Sequence, residues 1–268
     1  MELTAGKTAV VTGAASGIGL ALTNAFAARG LNVVLADVNE DALAAAGDVV
    51  RSRGGRALEC RCDVAVADEV ERLRARALGN FGRVDIICNN AGVMLPFEPT
   101  WQHSLAEWRW LLDINLMGVV HGIQTFLPLL VEQRSGHILN TASMAGVATI
   151  PFNGPYNASK HAVVALTETI AAEMVELRLP IGATVLCCGL VATGIRSSVQ
   201  QRPGAAAHNR EAAGSATTPT EAGGNHLSAD EVAALVMKAI EINQLHVFTN
   251  PGSAERIQAR IERLVADL

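Results

Sequence analysis

The chain has one tyrosine, Tyr156, and a lysine four residues later, in Tyr156-Asn157-Ala158-Ser159-Lys160. Residues at i and i+4 share a helix face, so this spacing sets an ammonium beside a phenol. A free phenol, with a pKa near ~10, is a poor base at neutral pH. A neighbouring cation favours the phenolate and brings proton transfer towards the working range. The same pattern also arises as a surface pair, so its meaning depends on what accompanies it.

A glycine-rich turn, Thr12-Gly13-Ala14-Ala15-Ser16-Gly17-Ile18-Gly19, runs from the first apolar strand straight into a helical pattern. Its spacing is G-x-x-x-G-x-G. Glycines let backbone approach a pyrophosphate closely, and a helix N-terminus offers free N–H groups at a positive dipole end. Gly13, Ser16, Gly17, Ile18 and Gly19 are therefore candidate dinucleotide contacts. Asp37 ends the second strand, where a carboxylate can accept bonds from the adenosine ribose hydroxyls and repel a 2′-phosphate, favouring NAD over NADP. Its other reading is an N-cap for the following helix. No arginine stands at Ser16 or Val38 to receive such a phosphate.

These residues must be positioned by alternating strands and helices. The strand candidates are Thr8–Val11, Asn32–Ala36, Ala57–Cys62, Asp85–Cys88, His137–Asn140, Ala183–Cys187 and His246–Phe248. They are apolar runs, as strands covered by helices on both faces should be. Helical patterns fill the gaps: Ile18–Arg29, Glu40–Ser52, Asp68–Leu78, Ser104–Glu132 (whole or broken), Tyr156–Leu177, Ser228–Ile242 and Ala254–Ala266. In the last of these, Ile261 and Leu264 are expected to pack inward. Repeated βα units imply a doubly wound, parallel seven-stranded α/β sheet of the Rossmann type, one domain over residues 1–268. Residues 194–227 break the rhythm and read as a substrate-side lid or as disorder.

In chain order come the glycine turn, Asn89-Asn90-Ala91-Gly92, Asn115, Ser143 and then Tyr156 with Lys160. In these motifs, strongly from Leu3 to about Thr193 and weakly beyond, the sequence resembles the short-chain dehydrogenase/reductase family in its compact form. The resemblance implies a nicotinamide-dependent oxidoreductase. Tyr156 is then the general acid/base, and Lys160 lowers its pKa and holds the nicotinamide ribose. Ser143 hydrogen-bonds the reacting oxygen, and Asn115 helps hold a water that relays protons from Lys160. Asp63 and Val64 would contact adenine; Asn89, Ala91 and Gly92 would line the cofactor cleft, with Asn90 assigned to structure. Gly189, Val191 and Thr193 match the family's segment after the sixth strand, but Cys188 stands where that segment usually has proline. Such proteins are commonly homotetramers or homodimers, pairing through the Ser104–Glu132 and Tyr156–Leu177 helices.

The candidate substrate walls, Met94, Leu95, Phe97, Ala145, Phe152 and Leu190, are apolar, and no arginine or lysine is evident to grip a carboxylate or phosphate. The expected substrate is a hydrophobic secondary alcohol or ketone. Phe97 and Phe152 read equally as core. Twenty-one basic against 26 acidic residues, a net charge of −5, argue against nucleic acid. Five cysteines without a signal peptide suggest reduced thiols in a cytoplasmic protein, with no metal site and no membrane span. A non-catalytic dinucleotide sensor is the rival reading, and a nucleotide-dependent methyltransferase a weaker one, since neither needs Tyr156 and Lys160.

Overall fold

The computed structural model describes residues 1–191, 194–203 and 227–268. Seven parallel strands form one sheet in the order β3-β2-β1-β4-β5-β6-β7. They are β1 (Thr8–Thr12), β2 (Asn32–Asp37), β3 (Arg56–Arg61), β4 (Ile86–Asn89), β5 (Gly136–Thr141), β6 (Ile181–Cys187) and β7 (His246–Phe248). The helices are α1 (Gly17–Ala28), α2 (Glu40–Ser52), α3 (Ala67–Phe81), α4 (Leu105–Leu112), α5 (Gly118–Gln133), α6 (Gly154–Glu176), α7 (Ala229–Ile242) and α8 (Ser253–Ala266).

Strand alternation explains the two-sided core. Ala9 and Val11 of β1 join Leu22 and Phe26 of α1 and Val236 and Ile240 of α7 on one face. Val10 joins Val70 and Leu73 of α3, Phe126 and Leu130 of α5 and Ile170 of α6 on the other. Successive side chains of a strand point to opposite faces, so both parities must be apolar. The edge strands show it in the negative: β3 exposes both ends, Arg56 and Arg61, and β7 exposes Phe248.

The stretch expected as one helix, whole or broken, is two α-helices joined by a π-helical turn, Asp113–Met117. By length and composition Leu105–Gln133 could cross a membrane. Here it buries Leu111, Val119, Phe126 and Leu130 in the core. The C-terminal helix corrects one expectation: Ile261 and Leu264 are 48% and 58% exposed. α8 touches the body through Ser253 and Arg260, the latter donating to the Val147 carbonyl, which turns its apolar stripe outward.

Ser143 caps a 3-10 turn, Met144–Gly146, that lies against α6. A Cβ on Gly146 would stand 2.6 Å from the Lys160 carbonyl oxygen. Gly146→Ala should therefore push this turn off the helix that carries Tyr156 and Lys160. Overpacking of this kind costs about 1–3 kcal/mol, so thermal denaturation should show a midpoint lowered by roughly 2–10 °C. An unchanged midpoint would show that the turn has room to give.

Candidate active site

The sheet order reverses at β1, whose neighbours β2 and β4 lead the chain in opposite directions. Loops therefore part at its carboxyl end, and a cleft of 530 Å³ opens there.

One half of the cleft is built by the glycine turn. Gly13 has φ +64, and a Cβ on it would lie 2.9 Å from Ala91 Cα. Ser16, the N-cap of α1, makes no side-chain cap bond, and the first turn of that helix holds no acidic residue. The first N–H groups of α1 and the positive end of its dipole thus face the cleft unopposed, behind Ser16, Gly17 and Ile18. Gly19 does not line the cleft; a Cβ there would come within 2.0 Å of the Gly13 carbonyl oxygen, so its lack of a side chain lets α1 meet the turn.

Asp37 lines this half with Asp63 and Val64. The Asp37 carboxylate accepts from Ala15 N and Asn39 N, each at 3.1 Å, and is fixed at the strand end. It is not the cap of α2, because Asn39 is, accepting from Ala42 N at 3.1 Å. Asp63 accepts from Ala65 N at 3.0 Å.

Ala91 and Gly92 line the cleft, and so does Asn90 in place of Asn89. Asn89 is the last residue of β4 and points to the α5 side, donating to Asn140 Oδ1 at 2.8 Å. Asn90, one residue on, has the opposite direction. It donates to the Thr12 carbonyl and accepts from the Thr141 hydroxyl, tying β1 to β5. Strand parity, available from the sequence, distinguishes the two.

The other half holds the candidate catalytic groups. Tyr156 and Lys160 lie on α6 and are 7% and 2% exposed. Lys160 Nζ donates to the Thr141 carbonyl at 2.9 Å and stands 5.6 Å from the centre of the Tyr156 ring. Burial pushes its pKa down to about 8. The Tyr156 phenol is also shifted by burial, but upwards, with the Cys188 thiol adding to the rise and a hydrogen bond from Ser143 opposing it. Desolvation of the anion is the largest cause and outweighs the Ser143 contribution, so burial sets the direction of the phenol's shift. Ser143 Oγ also accepts from Ala145 N at 3.1 Å.

Asn115 is fully buried in the π-helical turn. Its amide accepts from Val93 N at 2.8 Å and donates to Val93 O at 2.9 Å, stitching the Gly92 loop to that turn. Both side-chain atoms are therefore engaged by the backbone.

On the substrate side, Met94, Phe97, Leu190 and Val191 line the cleft with Gly189 and Cys188. Phe152 does not: it adopts φ +63, is 54% exposed, and its neighbours Ile150 and Asn153 face the cleft instead. A left-handed residue before the first turn of α6 reverses the direction of its side chain. Asn153 is buried with no hydrogen-bond partner on Nδ2. Thr193 lies outside the described residues, as does most of the 194–227 segment. The described part, Gly194–Gln201, forms 3-10 turns over the cleft. They are held by Ser198 Oγ accepting from Met94 N at 2.9 Å and by a buried Arg202–Glu107 ion pair at 3.2 Å. Arg196 and Arg256 also line the cleft, correcting the expectation of no cation there; Arg256 arrives from α8, remote in sequence.

A model of the short chain dehydrogenase family matches residues 7–204. A "CLA biosynthesis dehydrogenase/reductase" of Lactiplantibacillus plantarum is 30% identical, with 97% of this chain and 94% of the relative covered. A "1-deoxy-11-beta-hydroxypentalenate dehydrogenase" of Streptomyces exfoliatus is 34% identical over 96% of this chain and 87% of the relative. Among solved structures, a short chain dehydrogenase/reductase from Burkholderia phymatum, in complex with NAD, superposes with a TM-score of 0.89 at 36% identity. That likeness covers 100% of this chain and 97% of the other.

Burial of Lys160 carries a pH signature. In the unfolded chain its ammonium keeps a pKa near ~10.4; folded, it loses its proton from about pH 8. Between those values the unfolded state binds more protons, so stability contributed by this residue rises with pH and is lost as pH falls through 8. Denaturant unfolding of wild type and Lys160→Met should show the variant's relative advantage shrinking from pH 7 to pH 10. A difference independent of pH would contradict the burial.

Proposed function

The chain belongs to the short-chain dehydrogenase family, and from that premise we propose an NAD-dependent oxidoreductase that moves hydride between nicotinamide and a hydrophobic secondary alcohol or ketone. One observation carries this reading: Ser143, Tyr156 and Lys160 share a cleft with the uncapped N-terminus of α1. A dinucleotide sensor needs the second feature but not the first.

The residues fit a nicotinamide dinucleotide. The Gly13 turn leaves a cradle that a Cβ would fill, the α1 N-terminus meets a pyrophosphate, and Asp37 stands where the ribose hydroxyls would fall. That half of the lining, Asp37, Val38, Asn39, Ala42, Cys62, Asp63 and Val64, contains no basic side chain. This supports NAD over NADP. Bound there, the dinucleotide supplies or accepts the hydride.

The chain's own groups handle the proton. Ser143 favours the charged form of the Tyr156 phenol, and both residues line the cleft, where their hydroxyls can hold the substrate oxygen. The phenol, protonated at neutral pH, donates to a carbonyl oxygen; oxidation of an alcohol requires its deprotonated form. Lys160 compensates the charge left behind and, fixed in the cleft by its bond to Thr141, would hold the coenzyme ribose. Asn115, whose Oδ1 and Nδ2 each keep a second hydrogen-bonding site beyond their bonds to Val93, can hold a water that relays protons from Lys160.

The five buried, unpaired thiols fit a reducing cytoplasm. Ala158 and Ala165 are exposed with Ala162 half-buried between them, a smooth α6 face suited to close helix pairing in a homodimer or homotetramer.

Tyr156→Phe should lower turnover about 10²–10⁴-fold while NADH still binds, measured by steady-state kinetics and coenzyme fluorescence. Equal turnover would refute the mechanism. In wild type, alcohol oxidation should rise with pH and carbonyl reduction should fall. For coenzyme choice, Asp37→Ser should shift the NAD/NADP preference by on the order of tenfold or more; an unmoved ratio would remove Asp37 from that role.

A further inference from the structure

The charged residues of the cleft are not mixed. Its carboxylates, Asp37 and Asp63, lie in the half next to the glycine turn, whereas the described cations that line it are Lys160, Arg196 and Arg256. Lys160 donates to Thr141 beside the Tyr156 ring, and Arg256 has an interaction of its own within the protein.

Arg256 belongs to the catalytic half. Arg260, one turn later on the same face of α8, donates to the Val147 carbonyl at 2.9 Å. Val147 closes the turn that Ser143 begins, so this face of α8 overlies the Ser143 side of the cleft. Arg196 enters from the 3-10 turns that Ser198 fastens to Met94. Around them the walls are apolar: Met94, Phe97, Ile114, Ile150 and Leu190. The buried Asn153 Nδ2, which has no acceptor in the protein, lines the same cleft. The catalytic half is therefore rich in donors, holds no carboxylate among its described lining residues, and is otherwise oily. A guanidinium carries five donors in a fixed fork, so contacts within the protein still leave it able to present a pair to a carboxylate.

We propose that this half of the cleft takes an apolar alcohol or ketone bearing a carboxylate, which Arg256 and Arg196 hold while the skeleton lies on the aliphatic wall. This deepens the dehydrogenase reading and uses the same site. The reacting oxygen sits at Ser143 and Tyr156, and the carboxylate anchors the opposite end, fixing which carbon is presented.

The test uses the full chain with 9-hydroxydecanoate and its methyl ester, which share the skeleton and the hydroxyl and differ in that a methyl group removes the charge. Calorimetric titration without coenzyme should give about tenfold or more tighter binding of the acid than of the ester. Arg256→Gln should abolish most of that difference by weakening the acid alone, Arg196→Gln should do so in part, and Arg256→Lys should restore some of it. Arg263→Gln, on an exposed part of α8, should change nothing. With NAD⁺, the loss in Arg256→Gln should fall on KM for the acid, with kcat nearly preserved. Equal binding of acid and ester by wild type would overturn the proposal, as would an Arg256→Gln variant that keeps the preference. An Arg256→Gln variant that loses NADH affinity as much as acid affinity would also overturn it, assigning the arginine to the coenzyme pyrophosphate. The two readings fail separately. Preferential acid binding with no NAD⁺ reduction defeats the dehydrogenase and leaves the anion site. Oxidation of acid and ester with equal kcat/KM does the reverse.

Discussion

Two ionisable groups, a phenol and an ammonium, are held out of water on one face of α6, and much of the structure exists to make that tolerable. Each resists its charged form: burial raises the Tyr156 phenol and lowers the Lys160 ammonium to about 8. The ammonium would not stay buried without a partner, because an uncompensated charge in a protein interior costs several kcal/mol, and a buried hydroxyl likewise needs a hydrogen bond. The Thr141 carbonyl receives the ammonium and Ser143 supports the phenol oxygen. These partners come from the end of β5 and the turn beyond it, so the active-site geometry is set by how β5 meets α6. Gly146 permits that contact by having no side chain between turn and helix. On the other side, the doubly bonded Asn115 amide fixes the Gly92 backbone close to Lys160. Local irregularities, a π turn and a 3-10 turn, are concentrated where the sheet's regular geometry has to be adjusted to the chemistry.

The division of charge along the cleft extends this logic. One half of the cleft combines the free backbone N–H groups of α1 with the carboxylates of Asp37 and Asp63. The other half receives its cations from late in the chain, through α8 and the turns after β6. A ligand that spans the cleft thus meets opposite polarities at its two ends, which orients it before any reaction. The latch formed by Arg202 and Glu107 matters here because it is buried. Glu107 already completes the capping box of α4 with Ser104, so one carboxylate fixes both a helix start and the segment over the cleft.

How much of this was legible in the chain can be judged residue by residue. All seven strands and their parallel direction follow from apolar runs separated by helical periods, because both faces are covered and the signal is continuous; the order of the strands comes from the structure. The Tyr156–Lys160 pairing is a local, one-turn relation and was readable for the same reason. Asn89 and Asn90 take each other's expected places, because strand parity turns the first towards α5 and the second into the cleft. Phe152 depended on a left-handed backbone at a non-glycine residue, for which the sequence carries no mark. Arg256 could not be placed, since its position rests on how the last helix docks and not on any neighbouring motif. Spacing reports a nearby cation but not the depth at which the pair is buried, and that depth sets the direction of the phenol's shift.

Cys188 shows how the fold replaces one means of stiffening a backbone with another. A proline would limit the turn after β6 by its ring. Here the Cys188 carbonyl accepts from Met144 N at 2.8 Å, and Gly189 N donates to Thr249 Oγ1 at 3.2 Å. The turn is thereby tied to the Ser143 segment on one side and to the end of β7 on the other. A Cβ on Gly189 would come within 2.0 Å of Asn250 Oδ1, so the glycine is what allows the β7 side to close in. Burial pushes the Cys188 thiol upwards against the pull of Lys160. At neutral pH it is therefore a small neutral neighbour of the phenol and not a nucleophile. The physical requirement at this position is a rigid turn that brings no charge to Tyr156, and hydrogen bonds on both flanks meet it as well as a pyrrolidine ring would.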